Sequence, residues 1–170
     1  MADTRWTTAW AQRPPEEAAL FNPAYCGELI ARCATEYEGT RAAALPFALA
    51  FVVLPFTLHA ATRCLLPGRA NTTLVTWAAD QGPHLADFPA RVLSLRPVTR
   101  ESILFAVQHA ALTVDASGLR RGARPFRLQA KRPEATPDAE AARRSAALLG
   151  RWFGNQGSAG QVLQAVGLRP

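Results

Sequence analysis

Apolar residues recur at three- and four-residue intervals through most of this chain, and proline, glycine and capping residues punctuate the runs. Pro14, Pro15, Glu16 and Glu17 read as the first turn of a short helix that reaches Leu20. Asn22 before Pro23 reads as an N-cap with proline at the first helical position. Cys26, Leu29, Ile30, Cys33 and Tyr37 then share one face, and Gly39 is the expected stop. From Ala42 to Thr62 the chain carries no formal charge for twenty-one residues. That length could span a bilayer as a helix, which needs about 20 apolar residues. Pro46 and Pro55 count against it, because each frees a carbonyl that lipid cannot satisfy. The segment is expected to be a buried centre, helical in pieces and bent at Pro55, with Phe51 in the core.

Beyond Pro67-Gly68, Asn71-Thr72-Thr73 caps a helix with Leu74, Trp77 and Ala78 on one face, ending at Gln81-Gly82-Pro83. Asp87 caps a second, with Phe88, Val92 and Leu95 at core spacing, which should end before Pro97. Thr99 caps a third, with Ile103, Leu104, Val107, Ala111 and Val114 in period. Leu112 to Asp115 and Leu119 to Arg121, joined through Ala116-Ser117-Gly118, read as a hairpin in which Gly118 supplies a positive φ. Three short helices followed by a basic hairpin are the order of elements in a winged helix, here residues 71–130. Apart from Arg100, Glu101 and Gln108, the third helix offers no side chains for base edges, so protein docking suits it better than DNA reading. Phe126, Leu128 and Ala130 alternate with Arg127, Gln129 and Lys131, the period of an edge strand. Thr136-Pro137 opens a helix with Leu148, Leu149, Trp152 and Phe153 inward, and Ser158 caps a last one with Val162, Leu163 and Val166 buried before Gly167. The fold class expected is mainly α, α+β: a compact helical domain around a bent apolar central segment, with a winged-helix-like part. Residues 1–13 form an N-terminal arm and 14–170 a single globular domain.

Composition adds one feature to this picture. The 170 residues carry a net charge of +6, and the excess sits at one end. Residues 120–170 hold ten basic groups against three acids, whereas residues 1–41 hold four against six. Arg120, Arg121, Arg124, Arg127, Lys131 and Arg132 fall together without an acid between them, a run that suits phosphates or an acidic protein face. Trp6 and Trp10 stand four apart outside any defined core, so they are candidate docking anchors. Cys26, Cys33 and Cys64 form neither a C-x-x-C nor an even set, so no disulfide framework or zinc site is expected. His59, His84 and His109 have no ligand or nucleophile neighbours; His59 reads as a partly buried histidine donating to a backbone carbonyl. The first ten residues lack the basic start and apolar core of a signal peptide, and cytoplasm is expected. With no phosphate loop, metal cluster or nucleophile–base pair, neither a cofactor nor an enzymatic activity is expected.

Four ordered stretches carry a family resemblance: Asn22-Pro23-Ala24-Tyr25-Cys26; Leu45 to Pro55 with the trailing Leu58-His59; Leu149-Gly150-Arg151-Trp152-Phe153; and Val166-Gly167-Leu168-Arg169-Pro170. Together they resemble the middle component of bacterial three-component ABC systems, of which the Lamassu defence systems are related examples. The likeness covers about residues 14–170. It implies a non-enzymatic adapter that bridges an ABC- or SMC-like ATPase to an effector subunit encoded nearby, in defence against phages or plasmids, with DNA reached through the complex. It implies no catalytic residues. Two other readings compete: a winged-helix nucleic-acid binder using residues 120–132, and a single-span membrane protein through residues 42–62.

Overall fold

The computed structural model describes residues 8–127 and 135–169. Trp6, Lys131, Arg132 and most of the expected edge strand, Leu128 to Lys131, lie outside the described residues. The first helices follow their caps. Helix α1 covers Pro15–Leu20, and α2 covers Pro23–Arg41 with the Asn22 side chain accepting from the amides of Ala24 at 2.9 Å and Tyr25 at 3.3 Å. Gly39 does not end α2. The helix runs through it and closes at Ala42, which takes the left-handed conformation at φ 55°. The expectation failed because glycine favours such a cap without requiring one, and Gly39 carries ordinary helical geometry here.

The charge-free segment is mostly core, as expected, but its break is elsewhere. Helix α3, Phe47–Leu58, continues through Pro55, and the chain leaves it at His59 before α4, Ala60–Cys64. Arg63 donates to the freed Thr57 carbonyl and pairs with Asp138, so the broken end is tied off by a cation. Phe51 is only half-buried, set edge-on to Phe47. The ring at the centre is Phe56, which is fully buried and lies 4.4 Å from Phe88 and 6.0 Å from Trp77. Among the described residues no helix is long and apolar enough to cross a membrane.

Helix α5, Leu74–Gln81, is capped from within the expected stretch Asn71-Thr72-Thr73, by its last residue, Thr73. The next two expected helices are one: α6 runs unbroken over Phe88–Gln108 with Pro97 inside it. The carbonyl that loses its donor to Pro97 belongs to Leu93, an exposed position, so proline costs less here than in a buried turn. With no turn before Thr99, the three-helix order of a winged helix is not reproduced. The hairpin does form. Strands β1, Leu112–Asp115, and β2, Gly118–Arg121, pair antiparallel with Asp115 opposite Gly118. Leu45 extends this sheet by an isolated antiparallel bridge to Leu119, with reciprocal amide bonds of 3.0 and 2.8 Å. Gly118 sits at φ 132°, and any Cβ there would lie 2.1 Å from the Leu45 carbonyl oxygen.

Helix α7, Pro137–Gly154, and α8, Ala159–Ala165, complete the fold. Ser158 and Gln161 form a capping box, and Thr136 accepts from Ala139 at 3.2 Å. Helix α2 is the hub, packed against α7, α6 and α3. Its approach to α7 is set by Ala142, Ala146, Gly150 and Gly154, which recur every fourth residue and are buried. Trp152 and Trp77 meet edge to face at 4.9 Å, and each indole N–H is satisfied, by the carbonyls of Thr72 and Leu65 respectively. A Cβ at Gly150 would stand 2.3 Å from the Cys33 carbonyl oxygen, whereas one at Gly39 would meet nothing within 4 Å. Gly150→Ala is therefore expected to lose about 1 to 3 kcal/mol of folding stability by overpacking. Gly39→Ala, inside the same helix pair, should gain about 0.5 to 1 kcal/mol. Urea midpoints of the two variants check both signs.

Candidate functional site

The basic run is not one uniform surface. Arg120, half-buried on β2, donates from Nη1 to Glu38 of α2 at 2.7 Å, so its charge joins the hairpin to the hub helix. Asp115 lies 4.0 Å away and accepts from the amide and hydroxyl of Ser117, bonds that hold its carboxyl below the usual range. Arg121, Arg124 and Arg127 are exposed, with no carboxylate paired to them among the described residues. Only these three of the four described cations are available to a partner.

The N-terminal arm folds back onto the body. Residues Trp10–Gln12 make one 3-10 turn, and the Trp10 indole N–H donates to the Ala18 carbonyl of α1 at 2.9 Å. Arg13 reaches α6, where its two terminal nitrogens take both oxygens of Glu101 at 2.9 and 3.1 Å. The arginine side chain is 3% exposed and the glutamate 33%. This fork holds Trp10 as one wall of an open groove of about 880 Å³, whose other walls include Pro23 at the start of α2 and Arg96, Arg100, Leu104 and Phe105 of α6. Trp10 is 41% and Leu104 60% exposed. The sequence pattern marks Trp10 but not the α6 face. A helix broken at Pro97 puts Leu93, Arg96, Arg100, Leu104 and Gln108 on two unrelated elements, whereas on one continuous helix their spacing makes a single stripe.

The remaining candidates serve structure. His59 is exposed, and it accepts where the sequence pattern suggests that it donates: its Nδ1 takes the Thr62 amide at 3.2 Å, capping α4. Partial burial and the cations of Arg91 and Arg63 lower its pKa. Cys26 and Cys33 are buried in α2; burial pushes the Cys26 thiol up to about 12 and raises Cys33 further, so neither is a nucleophile at neutral pH. Cys64 is exposed. Glu28, at the α2–α7 interface, accepts from Arg143 at 3.0 and 3.3 Å and from Arg32 at 3.2 Å. Among the described residues no group of three His, Cys, Asp or Glu side chains is placed to hold a metal ion.

The family model of the ABC-three component (ABC-3C) system Middle Component 3 matches residues 10–170. The chain belongs to that family. No curated protein and no solved structure matches it. In this middle component the matched region begins at Trp10, so the turn that builds one wall of the groove falls inside the family's span.

Two outcomes test the local chemistry. A double-mutant cycle on Arg13→Ala and Glu101→Ala, read by urea denaturation, should return a coupling of about 1.5 to 3 kcal/mol, the range for a hydrogen-bonded charged pair. For His59, a folded-state pKa below the unfolded value means the native state resists the proton. Its contribution is whole above the unfolded pKa, near 6.5, and is lost as pH falls through the folded pKa. Wild type should accordingly lose stability relative to His59→Asn, which keeps a capping oxygen, as pH falls from neutral through the folded-state pKa.

Proposed function

We propose that this middle component is a non-enzymatic adapter that joins an ABC- or SMC-like ATPase to an effector subunit, in a bacterial system directed against phages or plasmids. The observation that carries the reading is the family match over residues 10–170, which makes the chain one component of a three-component ABC system. The use of charge supports it. Glu28 with Arg143, Glu36 with Arg151, Glu38 with Arg120, Glu101 with Arg13 and Asp138 with Arg63 each join segments far apart in sequence, so these groups position helices instead of facing a substrate. The exposed Arg121, Arg124 and Arg127 would meet the phosphate backbone of DNA held by the assembled complex, without reading bases. The complex would work in the cytoplasm.

Co-expression with the neighbouring ATPase and effector genes, followed by light scattering of the purified material, tests the adapter. One assembly containing all three chains is expected, and it should fall apart when this chain is left out. An ATPase–effector complex of undiminished yield without it would refute the role, as would ATP hydrolysis or DNA cleavage by the purified chain. In the complex, Arg121→Glu, Arg124→Glu and Arg127→Glu together should flatten the dependence of DNA affinity on salt by about 0.9 log units per log unit of salt for each phosphate that is no longer neutralised.

A further inference from the structure

We propose that the groove between Trp10 and α6 receives an amphipathic helix of another subunit of the system, one whose apolar row is flanked by Asp or Glu. The proposal rests on the adapter reading and names the chemistry of one of its partners. Three observations point to that occupant. The groove has an apolar lining, from Trp10, Leu104 and the half-buried Phe105. Its rim is cationic: Arg96 and Arg100 are exposed and carry no carboxylate partner among the described residues, while the nearest acid, Glu101, is already neutralised by Arg13. Its length suits a helix, since Arg96 to Gln108 spans about 18 Å at 1.5 Å per residue, room for three turns presenting anchors at i, i+3/i+4 and i+7.

The competing occupants fit less well. Duplex DNA gains little from an apolar lining, and two cations neutralise few phosphates. A second copy of this chain, paired across a two-fold axis on the same face, would bring the cations of that face towards their own copies. An acidic amphipathic helix answers both features at once: its carboxylates meet Arg96 and Arg100, and its apolar row covers Trp10 and Leu104. The Arg13–Glu101 fork then has a role in recognition, because it holds Trp10 in place and neutralises the carboxylate that, among the described residues, lines the groove.

The experiment measures binding of the full chain to the purified ATPase subunit and, separately, to the effector subunit, by titration at low and moderate salt. Arg96→Glu with Arg100→Glu, and independently Leu104→Asp, should each weaken binding to one of the two subunits by roughly 30-fold or more, the loss expected at an interface hot spot. Arg144→Glu with Arg169→Glu makes the same charge change at exposed positions outside the groove and should leave that affinity within about two-fold. All substituted groove positions are exposed, and unchanged far-ultraviolet circular dichroism and melting temperature confirm that the fold is retained. Wild-type affinity of both groove variants for both subunits would overturn the groove while leaving the adapter intact. Failure of the wild-type chain to bind either subunit would overturn both. A groove variant that turns a dimer of the isolated chain into a monomer, or that loses affinity for a short DNA duplex with subunit binding unchanged, would assign the groove to another occupant and equally refute the proposal.

Discussion

The fold depends on how closely two backbones approach at Gly150. A methyl group there would overlap the Cys33 carbonyl, and one at Gly154 would press on the Thr40 side chain of α2, so α7 lies against α2 with no room for a side chain of its own at these two positions. Such proximity multiplies short-range attraction but leaves no space for adjustment. With α7 fixed on α2, Trp152 stacks on Phe153 and meets Trp77 of α5, and Phe56 of α3 joins Trp77 to Phe88 of α6 to complete the aromatic centre. The polar lock sits beside the same seam. Glu28 is 3% exposed and holds Arg143 from α7 and Arg32 from its own helix, so a slip of one helix past the other would strand a carboxylate in a dry place.

Elements with strong caps were legible from the sequence. Asn22, Thr73, Thr136 and Ser158 each begin a helix where the order of polar residue and following turn says they should, because capping is a local event within four residues. Terminations were less legible. Gly39 and the residue before Pro97 are stops by propensity, yet α2 and α6 run through both, since the packing of long apolar faces outweighs a local penalty of about 1 to 3 kcal/mol. The charge-free segment shows the opposite error. Propensity puts its bend at the proline, but α3 persists through Pro55 and breaks at His59, where Arg63 donates to the Thr57 carbonyl and His59 accepts from the Thr62 amide.

Long-range polar pairing was the least legible layer. Nothing local in the sequence marks Arg13 as buried or Glu101 as its partner, 88 positions away, and the basic run gave no sign that Arg120 is taken by Glu38. Charge along a chain shows where cations are dense, while availability depends on which carboxylates the fold brings beside them. Arg121, Arg124 and Arg127 stay exposed although Phe126 between them packs back towards Gly27 of α2, because the acids of that helix, Glu28, Glu36 and Glu38, are already engaged.

The same accounting explains why α6 carries an unused face. A helix of 21 residues, α6 buries Phe88, Val92, Leu95, Val98, Thr99, Ser102, Ile103 and Ala106 against the core. The opposite stripe is under no packing demand, so solvent alone would favour charge along its full length. It does not have that composition: Leu104 remains more than half exposed in the groove with Arg96 and Arg100, and the arm adds Trp10 to the same lining, while Leu93 is exposed outside it. Scattered exposed leucines need no explanation. Apolar side chains in register with arginines that no described carboxylate pairs present, along one groove, both a surface to be covered and the charge that selects what covers it.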